Sequence, residues 1–266
     1  MKKLFVAVLV VLYLVVWSQQ AGKTRWSDYY LSPAPPAPVL KVASGYARQT
    51  ASFLLFVKVA VFAGGPLRGV DKSSYADSLA QNFEVMTELY PAFIDSYHYC
   101  QSFLAPLAAQ HTVRANNVLD RGIAELPDVV YLPFFKAFNY YYYLHDYPKS
   151  AELFFALSKR PGAPEWFAHL AGTLMARGGN LTAGRAMLQA MVKTEQDEML
   201  KKRYVKSIGH LDMAIRVQEA LNSYKQKYGK EAESLQLLVP EFIAAIPNFP
   251  DEVKLVWEPP VLRLEQ

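Results

Sequence analysis

The sequence contains little of what most catalytic and metal-binding proteins use. Its 266 residues include a single cysteine, Cys100, so an intrachain disulfide is excluded. The histidines are too widely spaced to pair on one helix face; they are His98, His111, His145, His169 and His210. No zinc, phosphate-loop or nucleophile motif is complete. We therefore expect a protein that is not an enzyme and that has no metal site and no cofactor.

Charge is distributed unevenly along the chain. Residues 1–72 contain nine Lys or Arg and two Asp, whereas residues 73–266 contain nineteen basic and twenty-two acidic residues. A basic N-terminal part suits an anionic lipid surface. Nucleic-acid binding would instead require a basic stripe on the folded body. The sequence predicts no nucleic-acid partner and no small-molecule substrate.

The N-terminus has the pattern of an export signal. Lys2 and Lys3 precede an apolar run from Leu4 to Trp17, which is shorter than the ~20 residues usual for a membrane span. Because no convincing cleavage site follows, residues 1–20 are predicted to be an uncleaved signal anchor, with residues 4–17 in the bilayer. The protein would cross the inner membrane once, with its body in the periplasm. A cleaved signal peptide is the alternative.

Two segments separate this anchor from the body. Residues 21–38 end in Ser32-Pro-Ala-Pro-Pro-Ala-Pro38, a composition that predicts an extended, fairly stiff spacer. Residues 39–66 are predicted to form an apolar N-terminal helix that stops at Gly64-Gly65-Pro66. Arg48 and Lys58 interrupt its apolar stretch and disfavour a second membrane span.

A rhythm of small and bulky apolar residues recurs through residues 67–206. It appears in Ala115, Leu119 and Gly122, and it returns at steps of about 36 residues. Other copies are Leu79, Phe83, Met86 with Pro91; Ala151, Phe155, Ser158 with Pro164; and Ala183, Met187, Ala190. A period of this length predicts antiparallel helical hairpins that bury their apolar faces by stacking. Pro91, Pro127 and Pro164 should fall between hairpins.

These residues resemble the tetratricopeptide repeat (TPR), most completely at Phe135, Asn139, Tyr142, Ala151, Phe155, Ser158 and Pro164. The resemblance implies an all-α, TPR-like solenoid in which Tyr142 is buried between the helices of one hairpin. It also implies a concave groove that binds partner proteins. The residues expected to line it are Tyr97, Cys100, Leu104, Lys136, Tyr140, Tyr143, Glu165 and Met175.

The last segment, residues 207–266, differs from the repeats. It is predicted to contain a helix from Ile208 to Tyr228 and then a β-hairpin, because Val253, Leu255 and Trp257 alternate before a Glu-Pro-Pro turn. The segment from Leu221 to Pro247 is similar to the tails of bacterial pseudopilin-like and envelope lipoproteins. This similarity favours a bacterial envelope protein.

Together these patterns predict a membrane-tethered, non-catalytic TPR-like scaffold or adaptor that binds partner proteins in a bacterial envelope assembly. One alternative is a structural subunit of a membrane enzyme or secretion complex. Another is an enzyme with its site at the junction of the repeats and the C-terminal cap. A histidine or carboxylate with a strongly shifted pKa in a deep cavity there would favour the enzyme.

Overall fold

The computed structural model describes residues 30–65, 70–250 and 252–265, together with five residues of the apolar N-terminal run. Within these residues the protein is predominantly helical, with ten α-helices and one two-stranded sheet. The chain divides into two compact units, residues 1–90 and residues 91–266.

Most of the predicted signal anchor, residues 1–20, lies outside the described residues. The exceptions are Val10, Val11, Tyr13, Leu14 and Val15, which are helical and exposed. No helix in the described part of the chain combines the length and the apolar composition that crossing a membrane requires.

The first unit contains three helices: α1 (Ala37–Ser44), α2 (Arg48–Ala63) and α3 (Ala76–Leu89). The single helix expected over residues 39–66 is interrupted, because Gly45 adopts a left-handed φ of 52° and a 3₁₀ turn follows it. Helix α2 ends where the glycines predict, since the Gly64 N–H donates to the Ala60 carbonyl at 2.9 Å. Helix α2 packs on α3, and α1 packs on both.

The proline-rich stretch, residues 32–38, is extended up to Pro36, but it is not a free spacer. Leu31, Ala34 and Ala37 are buried. The Ser32 carbonyl accepts hydrogen bonds from Lys58 Nζ at 2.6 Å and from Asn82 Nδ2 at 3.0 Å. An extended, proline-rich segment has no internal hydrogen bonds, so its backbone carbonyls can accept hydrogen bonds from other elements. Residues 30–38 of the expected spacer are therefore docked on α2 and α3, while residues 21–29 lie outside the described residues.

The second unit begins with seven helices that pack in sequence order. They are α4 (Ile94–Phe103), α5 (Ala109–Glu125), α6 (Tyr131–Tyr142), α7 (Tyr147–Ser158), α8 (Trp166–Arg177), α9 (Leu181–Thr194) and α10 (Glu198–Tyr228). Each helix contacts the next one along the chain. Pro127 and Pro164 fall between helices, as predicted. This serial packing is compatible with a helical repeat.

The turns of the predicted hairpins follow local sequence signals. Gly178-Gly179-Asn180 joins α8 to α9, and Gly179 has a φ of 87°, which a residue with a side chain rarely adopts. Asn180 caps α9, because its Oδ1 accepts a hydrogen bond from the Ala183 N–H at 3.1 Å. This turn lets α8 and α9 pack side by side.

Helix α10 is longer than the sequence predicts. The Asp197 side chain caps its start by accepting hydrogen bonds from the N–H groups of Met199 and Leu200, so the helix begins at Glu198. The boundary expected at residues 206 and 207 therefore falls inside the helix. Its end agrees with the prediction, because Gly229 takes a left-handed φ of 70° and its N–H donates to Lys225.

The predicted C-terminal hairpin is present as β1 (Lys254–Glu258) and β2 (Val261–Glu265). The strands are antiparallel, with Leu255 opposite Leu264 and Trp257 opposite Leu262. Leu262 and Leu264 are buried in one apolar core with residues of α8, α9 and α10. The hairpin thereby covers apolar side chains at the end of the helical stack that would otherwise be exposed.

Candidate functional site

The aromatic run of α6 contributes one exposed side chain that the repeat resemblance placed in the core. Tyr142, expected to be buried, has 56% of its surface exposed. The buried face of α6 instead consists of Leu132, Pro133, Ala137 and Asn139. Since Tyr142 is the last residue of α6, no following turn of the same helix covers it. The prediction for Tyr142 is therefore wrong.

The exposed tyrosine is held by neighbouring rings. Tyr142 stacks on Phe138 with centroids 5.3 Å apart and planes 11° apart. Tyr143 stands edge-on to Tyr142 at 5.0 Å. Burial of the Tyr143 phenol and the nearby Tyr142 raise the pKa of Tyr143, which stays neutral at physiological pH. These contacts orient the tyrosines at low entropic cost.

A cavity of about 410 Å³ opens beside this cluster, and we call it the tyrosine pocket. It is lined by Tyr141, Tyr142, His145, Tyr147 and Arg177. Three elements supply these residues: the end of α6 with the turn after it, the start of α7 and the end of α8. A volume of this size accommodates one large side chain.

Arg177 is the cationic wall of the tyrosine pocket. Its guanidinium carbon lies 4.7 Å from the centre of the Tyr147 ring, a cation–π distance. Its Nε lies 3.8 Å from a carboxylate oxygen of Glu265 on β2. About a third of the Arg177 side chain remains exposed, so the charge is accessible to a ligand. Strand β2 thus helps to position a pocket residue.

Gly178 explains why Arg177 can lie so close to α7. A Cβ atom at Gly178 would lie 2.6 Å from the ring carbons of Pro148, next to Tyr147. Only a residue without a side chain allows this approach of the end of α8 to the start of α7.

The turn between α6 and α7 supplies the remaining wall. His145 adopts a positive φ of 52°, an uncommon conformation for a residue other than glycine, although histidine tolerates it better than most. Asp146 then caps α7, since its Oδ1 accepts a hydrogen bond from the backbone N–H of Lys149 at 3.1 Å. The tight turn brings Tyr141 and Tyr147 within contact, with ring centroids 6.2 Å apart.

Four of the eight residues expected in the groove are in the interior. Tyr97, Cys100 and Leu104 have no exposed surface, and Met175 is also buried. Tyr97 belongs to the core because its ring packs against Gly122 while its hydroxyl donates to the Pro91 carbonyl at 2.6 Å. In this conformation these four side chains present no surface to a partner.

The other four expected residues reach the surface but do not form one group. Lys136 is paired with Asp120 on α5. The Lys149 ammonium lies 5.2 Å from the centre of the Tyr140 ring. Glu165 is exposed at the start of α8. Tyr143 alone is part of the ring cluster beside the tyrosine pocket.

Sequence reasoning missed Tyr141, Tyr147 and Arg177 as candidate site residues. The run of four tyrosines drew attention to the correct helix end, and Tyr147 follows it by one tight turn. Nothing local indicates Arg177, because it lies thirty residues further along and reaches the pocket only through the packing of α7 on α8.

No known protein family, curated protein or solved structure matches this chain. The serial packing of the helices and the residue rhythm are the two observations that are compatible with a helical repeat.

Proposed function

We propose that this protein is a membrane-tethered, non-catalytic adaptor built of TPR-like helical hairpins, and that its tyrosine pocket binds a partner protein of a bacterial envelope assembly. The observation that carries the proposal is the juxtaposition of an exposed Tyr142 with Arg177 around one cavity. Tyrosine and arginine are over-represented among the residues that dominate binding energy at protein interfaces.

The pocket also suggests what the partner carries. The faces of Tyr141, Tyr142 and Tyr147 suit an apolar or aromatic side chain. Arg177 suits a carboxylate next to that side chain, because guanidinium groups bind carboxylates with two parallel hydrogen bonds. The proposed ligand is therefore an extended or helical segment with an apolar anchor flanked by an acidic residue.

The tether is the second part of the proposal. It is supported by the export-like order of Lys2, Lys3 and the apolar run, and by the exposed apolar side chains of the helical residues within that run. Holding the adaptor at the membrane would raise the effective concentration of a membrane-bound partner.

The test combines membrane fractionation with chemical crosslinking and mass spectrometry of the full chain in cells. Lys149 is exposed on α7, two residues after the pocket residue Tyr147, and provides a reactive amine near the pocket. We expect crosslinks from Lys149 to a partner segment of the stated composition. Tyr142→Ala should reduce them about tenfold or more, as for a central interface residue. The circular dichroism spectrum should not change, because the Tyr142 side chain is mostly exposed.

Tyr46→Ala is the matched control, since Tyr46 is a fully exposed tyrosine of the first unit. It should leave the crosslinks unchanged. Tyr140→Ala separates the tyrosine pocket from the groove that the repeat resemblance implies, because Tyr140 does not line the pocket. Undiminished crosslinking of the Tyr142 variant would refute the pocket, and greater loss with Tyr140→Ala would favour the original groove.

The same experiment addresses the alternative of a structural subunit. A permanent subunit would be recovered only in a stoichiometric complex, whereas an adaptor would also be recovered as free protein. Tyr142→Ala would then lower the bound fraction without destabilising the free form.

A further inference from the structure

A second cavity lies where the last repeat helices meet the C-terminal segment, and we call it the histidine cavity. Its volume is about 450 Å³. Its inner wall carries His169 of α8 and Ser207 and His210 of α10. Its mouth carries Lys202, Arg203, Lys206 and Glu252. It does not share a lining residue with the tyrosine pocket.

The basic residues of the mouth lie on one side of α10 because of their spacing in the sequence. Positions three and four apart on a helix are neighbours on its surface. Lys202, Lys206 and His210 follow at steps of four, and Arg203 precedes Ser207 by four. The sequence alone thus places three cations next to two uncharged polar side chains. The packing of α8 on α10 adds His169.

The inner wall offers hydrogen-bonding groups. His169 Nε2 lies 3.1 Å from Ser207 Oγ, and its ring stacks on that of Tyr204 at 5.9 Å. His210 is 9% exposed, and its Nδ1 is buried with no hydrogen-bond partner among the residues the structure describes. Buried polar atoms of native proteins are nearly always paired, so an unpaired one indicates a missing ligand or water.

The electrostatic environment shows what sign of ligand fits. Burial and the positive charge of Arg203 lower the pKa of His169. Burial and Lys206 lower the pKa of His210, although Glu252 opposes this shift. Both imidazoles are therefore neutral near pH 7 and stand in a positive field. Burial disfavours a charge of either sign at this place, but the positive charges of Arg203 and Lys206 favour an anion over a cation.

A metal ion is a poorer fit for the cavity. Within the described part of the chain, no group of three or more His, Cys, Asp or Glu residues could hold one. Three cations at the mouth would also repel a metal ion. The one carboxylate that lines the mouth, Glu252, lies 4.0 Å from the ammonium of Lys206, and the three cations leave the mouth with a net positive charge.

We propose that the histidine cavity binds a phosphate group, free or as the ester of a small molecule. Lys202, Arg203 and Lys206 would neutralise the dianion, and Ser207, His169 and His210 would hydrogen-bond its oxygens. A dianion with several acceptor oxygens matches three cations and three uncharged groups better than a single carboxylate does. The volume leaves room for a small esterified group beyond the phosphate.

This inference is independent of the adaptor proposal, because it uses a different cavity. The sequence predicts no small-molecule substrate, and the inference adds a small-molecule ligand, since it assigns binding and no reaction. The residues reach the cavity from α8, α10 and the segment before β1, which explains why sequence spacing alone did not reveal the site.

The test is isothermal titration calorimetry of the full chain in mild detergent with inorganic phosphate, with glycerol phosphate and with sulfate. We expect saturable binding of inorganic phosphate. The double variant Arg203→Ala/Lys206→Ala should weaken it about tenfold or more, because charged contacts to an anion are lost. Arg216→Ala/Lys230→Ala removes the same charges outside the cavity and should leave the affinity within about twofold.

His210→Gln tests the inner wall without changing the charge at neutral pH. We expect weaker phosphate binding with an unchanged circular dichroism spectrum. Tighter binding of glycerol phosphate than of inorganic phosphate would identify an ester as the ligand, and the reverse order would identify the free ion. Both results support the site.

Sulfate adds a test by pH, because sulfate remains a dianion throughout the range in which histidine titrates. Lowering the pH below about 6.5, the ordinary pKa of histidine, should strengthen sulfate binding as His169 and His210 take up protons. Because the pKa of each ring is lowered, the increase should occur below that pH. The charges that face these rings are those of Lys202, Arg203, Lys206 and Glu252. In His210→Gln the increase should be smaller.

Two results would overturn the proposal. One is the absence of saturable binding of all three probes by the wild-type chain. The other is an equal loss of affinity in both double variants, since this would show attraction by overall charge and no defined site.

Discussion

At the scale of single residues, buried amides connect three helices of the second unit. Asn139 of α6 is fully buried and exchanges two hydrogen bonds with Gln101 of α4, at 2.7 and 2.9 Å. Its Nδ2 also donates to Asn116 of α5 at 2.8 Å. Asn139 occupies the position where the repeat resemblance expects glycine or alanine. The larger residue is accommodated because its polar atoms are paired.

This network gives a stability prediction. Asn139→Ala should lower the free energy of unfolding by about 2 kcal/mol, because it leaves the buried Asn116 Oδ1 without its partner. Urea denaturation followed by circular dichroism measures the change. Asn117→Ala is the control, since Asn117 is exposed on the same helix as Asn116 and its replacement should cost little. Equal effects of both substitutions would contradict the role assigned to the network.

At the scale of elements, α8 and α9 approach each other closely at two glycines. A Cβ atom at Gly184 would lie 2.6 Å from the Gly172 carbonyl oxygen and 3.2 Å from the Ala176 nitrogen, both of them backbone atoms. A Cβ at Gly172 would meet the Leu188 side chain at 2.5 Å. The residue rhythm includes Ala183, which packs against an apolar core that contains residues of α8. The close glycine contact lies one position further along the chain, at Gly184.

Gly184→Ala should therefore destabilise the second unit, by about 2 kcal/mol, because two backbones must separate to admit the methyl group. Gly209→Ala is a matched control, because Gly209 is exposed in the middle of α10 and an added Cβ there meets nothing within 4 Å. Alanine there should stabilise the protein by about 0.5–1 kcal/mol through helix propensity. Urea denaturation of both variants checks the opposite signs. Stabilisation by Gly184→Ala would show that the helices are not held this closely.

At the scale of the whole molecule, the division after residue 90 differs from the division expected at residues 66 and 206. The expected boundaries follow changes in composition. The observed one follows packing, since α3 packs on α1 and α2, whereas α6 to α10 contribute to two apolar cores that contain no residue of α3. Helix α3 carries a copy of the residue rhythm but belongs to the N-terminal unit.

The division predicts that residues 91–266 fold on their own. A fragment of these residues should show a helical circular dichroism spectrum and a single cooperative transition in urea. A shorter fragment, residues 104–266, is the control. It lacks Tyr97 and Cys100, whose buried side chains belong to α4, and it should lose cooperativity in its first helices. A fragment 91–266 that unfolds without a cooperative transition would disprove the independence of the second unit.

By itself, the sequence determined the features that depend on neighbouring residues. The stop of α2 at Gly64, the end of α10 at Gly229 and the strand alternation before Pro259 all follow from contacts within a few positions. The tertiary structure alone decided which tyrosines are exposed and which residues meet around the two cavities. His169 and Ser207 lie 38 positions apart. Such pairs are set by how whole helices pack, because packing depends on the shape of every side chain between them.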